Sequence, residues 1–158
     1  MPKIDRAQVP VLAGTTYPDP YAEPCLSRHR SRLGAAAGLT DFGVNLLRLS
    51  PGAWSSQRHW HSHEDELVWV LEGEVVLIED SGETVLVAGD CAGFKAGVAN
   101  GHHLVNRSGT DAVLLEVGSS RRHEDVTRYP DCDLVAGPGD SYTHRDGTPY
   151  PKTVRRSS

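Results

Sequence analysis

Residues 58–74 read RHWHSHEDELVWVLEGE. His59 and His61 stand two apart, His63 continues the alternation, and the acidic run Glu64-Asp65-Glu66 follows at once. A strand-like apolar run then leads to Gly73. Side chains two apart on a strand share a face, so Gln57, His59 and His61 point together, as do Glu66, Val68 and Val70. If both faces are the inside of one barrel, two imidazoles and a carboxylate converge at one end of it. That set suits a divalent first-row metal with positions left for water or substrate. Five of the eight histidines fall in this stretch or in the pair His102-His103. One member of that pair facing inward would supply a third imidazole. Neutral imidazoles and a single carboxylate hold a dication without overneutralising it.

Strand signals extend on both sides. FGVNLLRLS (42–50) is closed by the turn Ser50-Pro51-Gly52, and QRHWH (57–61) alternates. ELVWVL (66–71), EVVLIED (74–80) and ETVLVAGD (83–90) are rich in β-branched residues, with Asp80-Ser81-Gly82 as a hairpin turn. HHLVN (102–106) and DAVLLEVG (111–118) are predicted to pair with each other through Arg107-Ser108-Gly109-Thr110. No segment from Phe42 to Gly118 has helical periodicity. Many short strands with regular turns predict an all-β sandwich or barrel over residues 42–118.

Residues 1–41 are expected to form an arm that wraps this barrel or reaches a partner subunit. YPDPYAEP (17–24) cannot be a regular helix or a central strand, and LGAAAGLT (33–40) suits a short helical turn. Residues 119–158 are expected to be a C-terminal tail. It holds one strand in DVTRYPD (125–131), and SYTHRDGTPYP (141–151) reads as loop.

With 38% apolar and 23% charged residues the chain is globular rather than disordered. A net charge of −5 argues against a nucleic-acid partner. No apolar run approaches the ~20 residues that span a bilayer, and the N-terminal residues lack the apolar core of a signal peptide. A cytoplasmic protein with no membrane partner is expected. Cys25, Cys91 and Cys132 are odd in number and far apart, so buried, inert thiols are expected rather than disulfides.

The histidine block resembles the cupin superfamily. One cupin signature is G-x5-H-x-H-x3-4-E-x6-G. The chain has Gly52, six residues, His59-Trp60-His61, four residues, Glu66, six residues and Gly73. The second signature, G-x5-P-x-G-x2-H-x3-N, is followed by Gly89, Lys95 in place of Pro, Gly97, His102 after four residues instead of two, and Asn106. The resemblance implies a double-stranded β-helix (jelly-roll) barrel and one divalent transition metal: Fe, Mn, Ni or Zn. It implies His59, His61, Glu66 and His102 as metal ligands, with His103 as the alternative to His102. His102 is favoured because Leu104 and Asn106 share its face, which puts His103 and Val105 outside. Gln57 and His103 are possible pocket residues.

A small-molecule substrate and a homodimer are also implied. The activity leans to a sugar or sugar-phosphate isomerase, with Gln57 and Arg48 as polar lining and His103, Glu72 or a metal hydroxide as proton carrier. The alternatives are an Fe(II) dioxygenase and a non-catalytic metal- or metabolite-binding cupin. Plainer roles go to the remaining residues. His63, Glu64 and Asp65 read as surface groups, Trp60 and Trp69 as packing that points away from the metal face, and Asn106 as a turn residue. Gly73, Gly89 and Gly97 read as turn glycines.

Overall fold

Alternation and frequent turns leave the chain beyond Phe42 little choice but short strands, and these form in the computed structural model, which describes residues 3–139 and 141–158. In chain order they are β1 (Val11–Ala13), β2 (Arg28–Arg32), the single-turn helix α1 (Leu33–Ala36), β3 (Phe42–Leu49), β4 (Trp60–His61), β5 (Glu66–Glu72), β6 (Glu74–Glu79), β7 (Gly82–Val87), β8 (Cys91–Phe94), β9 (His103–Val105), β10 (Ala112–Ser119), β11 (Thr127–Arg128), β12 (Val135–Gly137) and β13 (Ser141–Thr143). One sheet runs β1-β2-β3-β10-β5-β8, a second β13-β12-β11-β4 and a third β7-β6-β9. Every pairing is antiparallel. Together they make the expected jelly-roll barrel. No helix among the described residues is long and apolar enough to cross a membrane.

The barrel core is the inward half of each alternation. Leu47 and Leu49 of β3, Val68 and Val70 of β5, Val75 and Leu77 of β6, and Ala112 and Leu114 of β10 are all buried. Leu47 lies opposite Leu114, and Leu114 opposite Val70, so one apolar row crosses three strands. Each fully buried Leu or Val contributes about 1.5–3 kcal/mol over an exposed one. The outward residues Leu67, Trp69 and Leu71 of β5 are exposed.

Four expectations about the fold need correction. First, β9 and β10 do not pair. β9 lies against β6, while β10 sits between β3 and β5. Asn106, with no exposed surface, turns the chain from one sheet to the other. Its Nδ2 donates to Leu49 O at 2.8 Å and Thr110 O at 2.7 Å, and its Oδ1 accepts from Ser108 N at 3.0 Å and Ser108 Oγ at 2.8 Å. Second, only Trp60–His61 of QRHWH is a strand, because Ser55 to Arg58 bond to other partners. Ser55 Oγ, for example, accepts from Leu104 N at 3.0 Å. Third, Ser141–Thr143, expected as loop, is β13. β8 and β12 carried no recognisable signal. Fourth, Cys91, expected to be buried, is exposed; Cys25 and Cys132 are buried, and all three are free thiols.

The arm and the tail meet. β1 and β2 extend the large sheet, and Thr15 and Arg156 exchange two backbone hydrogen bonds of 2.8 Å. Gly14, at φ +70°, lies so close that a Cβ there would overlap Arg156 O. A second apolar cluster of Tyr17, Ala22, Cys25, Tyr129, Cys132 and Leu134 fills the space between arm and tail. The scattered aromatics of both segments thereby acquire a common purpose.

Asn106→Ala removes two donors and two acceptors from a buried corner. It is expected to lower stability by about 2–4 kcal/mol, read from urea denaturation. Asn106→Asp, which turns a buried carboxylate oxygen toward the Leu49 and Thr110 carbonyls, is expected to cost at least as much as Ala.

Candidate metal centre

Three separate pieces of chain, residues 59–61, Glu66 and His102, bring four side chains to one end of the barrel. β4 presents His61. A lone bridge between His59 and His102, with backbone hydrogen bonds of 2.9 and 3.1 Å, holds those two residues side by side. β5 begins with Glu66. All three imidazoles aim Nε2 at one atom, Glu66 Oε2, at 3.6 Å from His59, 3.6 Å from His61 and 2.9 Å from His102.

The other nitrogen of each ring is directed at an acceptor. His59 Nδ1 lies 2.9 Å from Gln57 O and 3.2 Å from Ser56 Oγ. His61 Nδ1 lies 2.6 Å from Asp125 Oδ2, and His102 Nδ1 3.5 Å from Asn100 O. A carbonyl or carboxylate only accepts, so Nδ1 of His59 and His61 carries the hydrogen and Nε2 keeps its lone pair for a ligand role. Phe94 stacks on the His102 ring at 3.5 Å and fixes its plane.

Burial works to raise the Glu66 carboxyl. The His102 hydrogen bond and the fields of His59 and His61 outweigh it, and hold the group well below the ordinary carboxylate range. Asp125 follows the same logic. Burial pushes it up, but His61 and the His63 backbone pull it down overall. Both groups are therefore carboxylates at neutral pH.

Ligand atoms held at about 2.0–2.2 Å by one ion must lie within about 4.4 Å of each other. His59, His61 and Glu66 bring one ligand atom each within 4.8 Å of the others. Nitrogen and oxygen donors at this spacing, with the far ring nitrogens tied down, fit a divalent transition metal. His61, Glu64 and Asp125 form a second such group, but it shares His61, whose Nδ1 is engaged by Asp125.

The cluster lies between two hollows. A small one of about 210 Å³ is lined by Trp60, Phe94 and Lys95 among others. A large one of about 930 Å³ opens toward the arm and tail. Glu64, expected as a surface group, lines both. Burial raises its carboxyl above the ordinary value, against the pull of the Arg121 backbone N–H.

Other expected residues lie elsewhere. His103 and Val105, expected outside, are 4% and 5% exposed, because residues 53–56 cover that side of β9. His103 Nδ1 bonds Ser56 O at 3.0 Å, and Trp54 meets the ring edge-on at 4.5 Å. Burial lowers its pKa. His103 still reaches the wall of the large hollow. Gln57 is taken up by the second core: its Nε2 donates to Tyr21 O at 2.7 Å, and Cys132 Sγ donates to its Oε1. Arg48 is exposed and pairs with Asp111. Glu72 is at the far end of β5, about 20 Å from Glu66. Trp69 points outward, and Trp60 lies under the Arg128 guanidinium. Asp125, Ser56 and Phe94 carried no sequence signal, because nothing in their spacing ties them to the histidines.

Comparison with known proteins agrees with this geometry. The family model described as Cupin domain matches residues 45–118. No protein of curated function matches the sequence. Among solved structures, a sugar phosphate isomerase of the cupin superfamily from Silicibacter pomeroyi is 42% identical. That match covers 95% of this chain and 97% of the other, with a TM-score of 0.88. A protein from Acidithiobacillus ferrooxidans, named provisionally as a sugar phosphate isomerase, is 31% identical over 74% of this chain and 70% of its own, with a TM-score of 0.65. The polyketide cyclase RemF of Streptomyces resistomycificus shares the fold at 19% identity and a TM-score of 0.59, over 75% and 79% of the two chains. The two signature blocks, the jelly-roll barrel, the His/Glu cluster and the near full-length similarity agree: the chain belongs to the cupin superfamily.

Proposed function

We propose that this cupin is a metal-dependent isomerase acting on a small phosphorylated sugar. The observation that carries the reading is the extent of the similarity to the Silicibacter pomeroyi protein. It spans the arm and tail, which wall the large hollow, as well as the barrel. A likeness confined to the barrel would support the fold alone.

In this reading His59, His61, Glu66 and His102 hold one divalent ion, Fe, Mn, Ni or Zn. When bound, the ion supplies Lewis acidity to two adjacent substrate oxygens. Gln57 O and Asp125 fix the His59 and His61 rings, so neither needs to reorient as charge develops. An aldose–ketose exchange is redox-neutral. A proton leaves the hydroxyl-bearing carbon and is returned to the former carbonyl carbon, while the hydroxyl proton passes between the two oxygens. Glu64 is the side chain we assign to the carbon-bound proton. It faces the cavity beside His61, whereas Glu66 is held by the imidazoles and Glu116 by Arg30. The homodimer and cytoplasmic location expected from the sequence belong to the same proposal.

Elemental analysis of untagged protein, purified without chelator, is expected to give about one transition-metal equivalent per chain. His61→Ala and Glu66→Ala are each expected to lose it while keeping the native circular dichroism spectrum. His102→Ala is expected to weaken metal affinity more than His103→Ala; the reverse order would move the fourth ligand to His103.

Glu64→Gln is expected to lower kcat by about 10²–10⁴-fold with metal content unchanged, followed by exchange of the C2 proton in phosphorylated aldoses. Metal-loaded native protein that exchanges and interconverts none of a panel of pentose and hexose phosphates would falsify the isomerase reading.

A further inference from the structure

Arg28, Arg30 and Arg32 alternate along β2, so all three leave the strand on one face. The register decides which face. Arg28 lies opposite Leu49, Arg30 opposite Leu47 and Arg32 opposite Asn45. Residues opposite each other in an antiparallel ladder share a face, and Leu47 and Leu49 belong to the barrel core. Three arginines therefore stand on the inner face: Arg28 is buried and Arg30 half-buried, where a charge is costly unless something meets it, and Arg32, at the end of the strand, is exposed.

The three are not equally occupied. Arg28 is spent on the fold: it donates to Gly14 O at 3.1 Å, to Thr15 Oγ1 at 3.2 Å and to Ser55 O. Arg30 is half spent. It pairs with Glu116 at 2.9 Å, but its Nε is buried with no hydrogen-bond partner, the one such side-chain nitrogen or oxygen among the described residues. The Arg32 side chain makes no hydrogen bond or ion pair among the described residues. From the tail, Arg155 reaches the same space, with one hydrogen bond of 2.8 Å to Gly14 O.

The large hollow gathers these charges. Arg28, Arg30, Arg32, Arg122, Lys152 and Arg155 line it, against the carboxylates of Glu64, Glu66 and Glu116. Arg122 apart, that is a surplus of two positive charges among the described residues, in a chain whose net charge is −5. Burial and the nearby Arg28 and Arg30 both depress Arg155, which shows how closely the cations crowd.

The floor between this wall and the metal centre is bare. Glu66 is opposite Gly118, and Gly118 opposite Gly43, so no side chain rises there for the width of two strands. Glycine in a strand interior marks a place where something else approaches the backbone. β2 lies three strand spacings from β5, about 14 Å, and the long arginine side chains narrow that gap toward the length of a small sugar phosphate. Planar guanidinium groups match phosphate oxygens in pairs.

We propose that Arg30 and Arg32 of β2, with Arg155 of the tail, form an anion subsite for the phosphate monoester of the substrate, whose carbonyl end lies over the bare floor at the His/Glu cluster. This rests on the sugar-phosphate reading above and adds the residues that recognise the phosphate.

Calorimetry on the purified protein tests it, with ribose 5-phosphate, inorganic phosphate and ribose as probes. Ribose 5-phosphate is expected to bind at least about tenfold more tightly than ribose. Arg32→Gln is expected to weaken ribose 5-phosphate by about tenfold or more and to leave ribose unchanged. Arg30→Lys keeps the charge beside Glu116 and so protects the fold; it is expected to weaken ribose 5-phosphate through loss of the paired geometry. Arg107→Gln, at an exposed turn where Arg107 pairs with Glu83, controls for net charge and is expected to bind as native.

Native-like phosphate binding in both Arg32→Gln and Arg30→Lys, or no preference for ribose 5-phosphate over ribose, overturns the subsite. The isomerase reading fails separately. Intact, arginine-dependent phosphate binding without turnover of any sugar phosphate would remove the reaction and leave the subsite standing.

Discussion

Glu66 Oε2 is the atom on which the mouth of the barrel depends. Three imidazoles are aimed at it from two different pieces of chain, and a partly buried carboxylate in that position is tolerable only because they are there. The convergence is set far from the site itself. A one-residue slip of β5 against β10 would turn Glu66 to the outer face along with Val68 and Val70. Leu47, Leu114 and Val70, packed in one row across three strands, forbid that slip. The apolar core thus holds the coordination geometry as firmly as the hydrogen bonds behind the rings do.

What could be read in the sequence follows the reach of each signal. β3, β5, β6, β7 and β10 were legible because alternation and flanking turn residues are local. The partner of β9 was not, because a hairpin signal says nothing of a corner that crosses between sheets, and Asn106 makes such a corner. His59, His61 and Glu66 were legible as a group because strand periodicity orders them. His102 rather than His103 reaches the cluster, yet the reasoning that put His103 outside was incomplete: residues 53–56 cover that side. Asp125 lies 2.6 Å from His61 but far from it in sequence, and no spacing rule connects the two.

The arginine row shows the opposite failure. RHRSR has no apolar residue, and such a run reads as a solvated edge strand. Only its pairing with Leu47 and Leu49 reveals that alternate side chains face inward. The same holds for the tyrosines of the arm and tail, which looked scattered and instead share a second core. Both features arise from contacts that the flanking segments make with the barrel and with each other, which local pattern cannot express.

The link between Arg155 and Gly14 spans 141 residues. Closing so long a loop costs only about 0.6 kcal/mol more than closing one half its length, so its importance lies in timing. Synthesis proceeds from the N-terminus and folding can begin on the way. His59, His61, Glu66 and His102 have all emerged once β10 is made, but β11, the partner of β4, and Asp125, which fixes the His61 ring, follow later. The tail wall of the hollow does not yet exist at that point. A nascent chain therefore holds the frame of its His/Glu cluster early, and the late-made tail both completes the setting of His61 and closes the wall of the hollow.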